Sequence, residues 1–139
     1  MATGVFVDSG AWIALCVRRD GLHARAKAHL GRLLTQGRPL VTTNLVVAES
    51  YALIRQRGGH DAAMTFLHAL RTSQSLTRIA SDIDLELVAE DLLRRFADQD
   101  FSYVDAVSFA VMHRHRIETA FAFDRHFRTA GFQLLADDV

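Results

Sequence analysis

The chain has 139 residues, half of them hydrophobic, and its 16 basic and 16 acidic side chains cancel to a formal charge of zero. That composition excludes a disordered segment, points to a single domain over residues 1–139 with a core of its own, and excludes attachment to nucleic acid through bulk positive charge. All the basic residues except Lys27 are arginines, whose planar fork suits phosphate, although a GC-rich genome produces the same bias. The one cysteine, Cys16, has no intrachain partner. With no signal-like segment and no apolar run long enough to span a bilayer, the expected setting is a reducing cytoplasm.

Val5, Phe6 and Val7 form a short apolar run, the pattern of a strand buried on both faces of a parallel sheet. Asp8 ends it, Ser9-Gly10 follows, and Ala11 to Val17 reads as a helix. Leu22 to Gln36 is an amphipathic helix with Leu22, Ala26, Leu30, Leu33 and Leu34 on its apolar stripe, stopped by Gly37 and Pro39. Leu40–Thr43 is a second strand, and Asn44 is placed to cap a helix running to about Arg57. After Gly58-Gly59 a helix covers Ala62 to Thr72, then Leu76–Ala80 is a weaker strand because it holds Thr77 and Arg78.

Ser81 starts a helix to about Ala97, with Asp82 in its first turn and Asp84 at the capping-box position. Asp98-Gln99-Asp100 is a loop, and Ser102 caps a helix to about Arg116. Thr119–Phe123 is a strand ended by Asp124, a helical turn covers Arg125 to Thr129, and Phe132–Leu135 is a last strand before a frayed tail, Asp137-Asp138-Val139. Strands alternating with helices over short connections predict a three-layer α/β/α domain around a parallel sheet of four to five strands.

Four acids stand out. Asp8 and Asp124 each end an apolar strand, and each has an ordinary alternative as a helix cap. Glu49 lies among Leu45, Val46, Ala52 and Leu53 on a helix with almost no polar face; it needs a cation, and Arg55 or Arg57 is the structural alternative. Asp105 fits a capping box with Ser102, yet it shares its helix side with Phe101, Ser108, Phe109 and Met112. In a parallel sheet all four positions can converge on the carboxyl edge, where ligands bind. Four carboxylates in one cleft repel one another, and divalent cations relieve that repulsion. Oxygen donors without cysteine or paired histidine suit Mg²⁺ or Mn²⁺. Two such ions support in-line phosphodiester displacement, and a single ion with an acid as base serves as well; the sequence leaves one or two ions open.

The segments VFVDSGAWIAL, TTNLVVAES, FSYVDAVSFAVM and TAFAFDRHF, in that order, make the chain resemble the PIN domain family, specifically the VapC-like ribonucleases of bacterial toxin–antitoxin pairs. The resemblance covers essentially the whole chain. It implies a sheet of order 3-2-1-4-5 and Mg²⁺- or Mn²⁺-dependent RNA cleavage with Asp8, Glu49, Asp105 and Asp124 as catalytic and metal-binding acids. It also implies a homodimer and a neutralising antitoxin whose tail blocks the acidic cleft. Many relatives carry Ser or Thr where this chain has Gly10, which leaves Ser9, Asn44 and Ser102 to orient acids or water. Arg125, His126 and Arg128 follow the last acid and are the candidate RNA contacts.

The other histidines lack ligand spacing, and Trp12 and Tyr51 fit packing better than base stacking. Competing functions are a non-toxin housekeeping PIN nuclease and a catalytically inactive RNA-binding PIN module. A receiver domain also gathers acids at strand ends, but it needs a lysine near its last strand and the only lysine is Lys27. A flap nuclease needs arches and clamps that this length hardly supplies.

Overall fold

Strand β1 (Val5–Val7) occupies the middle of a five-stranded parallel sheet, and its three side chains are shielded from solvent almost completely. The computed structural model describes residues 3–135, so the tail read above lies outside the described residues. From β1 the chain passes through Asp8 alone into α1 (Ser9–Cys16), and then into α2 (His23–Thr35). Strand β2 (Leu40–Thr43) feeds α3 (Asn44–Gly58) with no intervening residue; α4 (His60–Thr72) and β3 (Leu76–Ile79) follow. The second half is α5 (Ile83–Arg95), α6 (Tyr103–Arg114), β4 (Thr119–Phe121), α7 (His126–Thr129) and β5 (Gln133–Leu134).

The strand order is β3-β2-β1-β4-β5 with every pairing parallel, as the family resemblance implied. Right-handed crossovers place α1–α4, which pack on one another, on one face and α5–α7 on the other. The direction of winding reverses between β1 and β4, so a crevice opens beyond the carboxyl ends of those two strands. Asp8 stands at its centre, because its backbone N–H donates to the Phe121 carbonyl at 3.1 Å and continues the β1–β4 ladder.

Local chemistry moves several boundaries. Thr43, not Asn44, caps α3: its hydroxyl accepts from the Val46 N–H at 3.1 Å. Asn44 instead accepts the Ser81 N–H at 2.8 Å and ties the start of α3 to the loop after β3. Asp82, not Ser81, caps α5 through the Leu85 N–H, and its other oxygen pairs with Arg114 at 3.1 Å. Strand β4 ends at Phe121, where its neighbour β1 ends at Val7, so Ala122 and Phe123 belong to the loop. Helix α2 buries Ala26, His29 and Leu33, and Leu34 faces outward, half exposed. Between α3 and α4, Gly59 takes φ +92°, a left-handed conformation that any other side chain resists.

An aromatic cluster joins the sheet to the second helical face. Phe127 is fully buried, 6.2 Å from Phe6 and edge-on to Phe109 at 5.1 Å, and Phe101 meets Phe109 at 5.1 Å. This cluster fixes the first turn of α6, which carries Asp105, and the short α7, which follows Asp124. No helix among the described residues is long and apolar enough to cross a membrane.

Candidate active site

Asp8 occupies the N-cap position of α1, with extended backbone (φ −92°, ψ 168°), yet its carboxylate makes no side-chain capping bond. Its carbonyl oxygen meets the N–H groups of Ala11 and Trp12. The side chain is therefore left for another task, in a place only 5% exposed. Burial pushes its carboxyl up from 3.8 to about 7; the Ser9 backbone N–H opposes the rise, and the charges of Asp105, Glu49 and Asp124 add to it. Asp8 thus feels the charge of three acids that the sequence scatters over more than a hundred positions.

Glu49 points toward the same crevice from the second turn of α3, half-buried, with its Oε1 accepting the Ser9 hydroxyl at 2.7 Å. Among the described residues no ion pair joins it to an arginine. Arg55 turns instead to His60, and the Arg57 carbonyl accepts the Arg19 guanidinium. The structural alternative of a buried Glu–Arg pair is therefore not realised.

Asp105 does two jobs at once. It completes a capping box with Ser102, accepting the Ser102 N–H on Oδ2 at 3.0 Å while the Ser102 hydroxyl accepts the Asp105 N–H at 3.0 Å. The same Oδ2 lies 2.8 Å from His126 Nδ1, and the residue is only 7% exposed. Asp124 sits on the loop after β4, with its Oδ1 accepting the His126 N–H at 2.9 Å and its Oδ2 3.3 Å from His126 Nδ1. One ligand atom from each of Asp105, Asp124 and His126 lies within 4.8 Å of the other two.

A match to the PIN domain family spans residues 5–133. The chain belongs to the PIN domain family. Within it, this PIN domain is 40% identical over 129 residues to the "23S rRNA-specific endonuclease VapC20" of Mycobacterium tuberculosis, in strain CDC 1551 / Oshkosh and in strain ATCC 25618 / H37Rv. That alignment takes in 92% of this chain and 95% of the relative. A crystal structure of M. tuberculosis VapC20, described as a sarcin–ricin loop cleaving toxin, superposes with a TM-score of 0.82 at 38% identity, covering 92% of this chain and 95% of that one.

The PIN fold implies a divalent metal, and the donors present suit one. Asp8, Glu49, Asp105 and Asp124 would supply hard carboxylate oxygens, the donor type that Mg²⁺ and Mn²⁺ prefer. A buried carboxyl whose neighbours are three more carboxyls is the environment a small dication neutralises.

Arg125 and Arg128 are exposed on and beside α7, on the flank of Asp124. Trp12 is buried, and its indole N–H reaches the Thr42 hydroxyl at 3.4 Å, so it packs and does not stack on bases. Sequence reasoning passed over Arg25, whose guanidinium lies 5.7 Å above the ring of Phe123, next to Asp124. On α2 it is one exposed polar residue among many, and only the tertiary contact distinguishes it. Burial pushes the Cys16 thiol up to about 11, which removes thiolate chemistry from consideration.

Proposed function

We propose that this PIN domain is an endoribonuclease that hydrolyses a phosphodiester in RNA through the acidic crevice, as the toxin of a toxin–antitoxin pair acting in the bacterial cytoplasm. The observation that carries the reading is the buried Asp8 carboxyl in the field of Asp105, Glu49 and Asp124. Those four acids would hold one or two Mg²⁺ or Mn²⁺ ions. When bound, the ion supplies the positive charge that admits the phosphodiester and stabilises the charge developing in the transition state.

The chain's own residues divide the remaining work. Ser9 fixes Glu49 through Oε1 and leaves Oε2 to take the proton of the attacking water. The capping box of α6 aims Asp105 from a rigid helix start. Arg125 and Arg128 beside the crevice meet flanking phosphates, and Arg25 with Phe123 extends that surface. Attack by water leaves a 3′-hydroxyl and a 5′-phosphate. The substrate class is a structured ribosomal RNA loop, in keeping with the 23S rRNA-specific, sarcin–ricin loop cleaving M. tuberculosis relative.

Two surfaces fit the expected protein partners. Ile83, Leu87 and Val88 are exposed together on α5, the kind of apolar face a two-fold dimer buries. A groove of about 800 Å³ has an apolar floor including Leu15 and Phe66 and a rim carrying Arg18, Arg19, Lys27 and Arg57. It suits an acidic, amphipathic antitoxin segment whose tail continues to the crevice.

The test is cleavage of labelled tRNA, 23S rRNA fragments and a sarcin–ricin loop oligonucleotide with Mg²⁺, Mn²⁺ or EDTA, and Asp8→Asn protein as the control for a contaminating nuclease. Discrete cuts that need the ion and the Asp8 carboxylate support the reading. Cutting that survives EDTA, or that the Asp8→Asn protein performs equally well, overturns it.

A further inference from the structure

His126 follows the last acid and, on sequence, reads as a phosphate contact. Its surroundings argue for a different task. The ring Nδ1 faces two carboxylate oxygens, Asp105 Oδ2 at 2.8 Å and Asp124 Oδ2 at 3.3 Å. A carboxylate only accepts, so Nδ1 is the nitrogen that carries the proton and donates. The backbone N–H of the same residue donates to Asp124 Oδ1 at 2.9 Å. Residue 126 therefore holds Asp105 Oδ2 through its ring and Asp124 Oδ1 through its backbone, with Asp124 Oδ2 close beside the ring.

The grip is itself supported. Phe101 meets the His126 ring edge to face at 5.3 Å, and Phe101 rests against Phe96 at 5.3 Å and Phe109 at 5.1 Å. The next residue, Phe127, is fully buried and anchors α7. An imidazole held by an aromatic wall on one side and two acids on the other has little freedom to swing out to a phosphate.

The consequence falls on Asp105. Among the described residues both hydrogen bonds to its carboxylate land on Oδ2, from the Ser102 N–H and from His126. Oδ1 is left for the crevice that Asp8 faces. Asp105 comes from α6 and Asp124 from the loop after β4, 19 positions apart in sequence with no direct bond between them. We infer that His126 is a positioning residue: by donating from Nδ1 to Asp105, with its backbone N–H on Asp124, it clamps the two acids together and presents them as a preformed pair to the divalent cation. A hydrogen bond that orients a ligand carboxylate changes metal affinity about 10- to 100-fold when removed. The inference rests on the metal-site reading given above.

Two substitutions separate the roles of this ring, and its side chain is about 30% exposed, so both are compatible with folding. His126→Phe keeps the aromatic contact with Phe101 and removes the donor. His126→Asn places its amide nitrogen where Nδ1 stands and keeps the donor without the ring. Mn²⁺ binding to the full chain is followed by electron paramagnetic resonance of free Mn²⁺, RNA affinity by fluorescence anisotropy in EDTA, and turnover as kcat and KM; melting curves confirm folding.

The clamp predicts that His126→Phe weakens Mn²⁺ binding at least about tenfold and lowers kcat, with RNA affinity and KM unchanged. His126→Asn stays within about threefold of wild type for Mn²⁺. Unaltered Mn²⁺ affinity with weaker RNA binding makes the ring a phosphate contact and overturns the inference. Tighter Mn²⁺ binding in His126→Phe makes the ring a competitor of the ion and overturns it as well. Failure of the wild-type protein to bind Mn²⁺ overturns the metal-site reading itself, a result distinct from the other two.

Discussion

Replacing Asp8 by asparagine should stabilise the metal-free protein while abolishing its chemistry. The Asp8 carboxyl is raised from 3.8 to about 7, chiefly by burial and further by the charges of Asp105, Glu49 and Asp124. At about 1.4 kcal/mol for each tenfold, that rise corresponds to about 4 kcal/mol. Below about pH 4 the group is protonated in both the folded and the unfolded chain and costs nothing. Between pH 4 and 7 the unfolded chain releases its proton while the folded one retains it, so stability falls as pH rises. Above pH 7 the whole amount, about 4 kcal/mol, is missing.

Asparagine keeps the shape and still accepts the Ser9 N–H, but it carries no charge. About 1.5 kcal/mol of the difference has accrued by pH 5, so the advantage of Asp8→Asn over wild type should widen by roughly 3 kcal/mol between pH 5 and pH 8. In midpoint temperature that is on the order of 10 °C. Thermal and urea unfolding in EDTA at pH 5, 6, 7 and 8 reads it directly, and added Mn²⁺ should raise the midpoint of the wild type far more than that of the variant. Parallel pH profiles for the two proteins, or a variant less stable than wild type at pH 8, would refute the reasoning.

Ser9→Ala removes the hydroxyl that holds Glu49 Oε1 at 2.7 Å. Single-turnover cleavage should slow about 10- to 100-fold, with unfolding shifted by no more than about 1 kcal/mol. Thr43→Val deletes the cap of α3 and leaves the Val46 N–H unpartnered, which should cost about 1–2 kcal/mol in urea titrations. Phe127→Ala empties a fully buried site between Phe6 and Phe109 and should cost about 3–5 kcal/mol by the same measurement. Arg25→Ala should weaken RNA binding and reduce the slope of log affinity against log salt by about one, read by anisotropy over a salt series.

How far the molecule was readable beforehand depends on whether the signal was local. Val5–Val7 announced a central strand because three consecutive apolar residues have no other use at that length, and the sheet places them in the middle. Capping was ambiguous where two competent residues are adjacent. Thr43 beside Asn44, and Ser81 beside Asp82, differ only in which backbone first turns helical. The overlong reading of β4 has a tertiary cause: a strand stops where its partner stops, and β1 ends opposite Phe121. Leu34 looked like core because it continued an apolar stripe, but the face of α2 is set by Ala26, His29 and Leu33.

The acids were conspicuous because Glu49 and Asp105 interrupt apolar helix faces, a conflict that local structure cannot resolve. The bond from His126 to Asp105 spans 21 positions between different elements, and nothing in either neighbourhood signals it. Arg25 beneath the same limit went unnoticed, since its aromatic neighbour Phe123 is nearly a hundred residues away in sequence.

The two halves of the crevice are hung differently. Strand β1 enters α1 through Asp8 alone and β2 enters α3 directly, whereas Asp124 follows two loop residues, Ala122 and Phe123, before His126 holds it. Insertion or deletion at the first two junctions would shift a strand against its helix, whereas at the third it can be absorbed ahead of Asp124 so long as that acid keeps its place beside His126. Length variation among descendants of this protein should therefore gather in the residues leading up to Asp124, with the Asp8 and Glu49 side kept as an unchanging anvil.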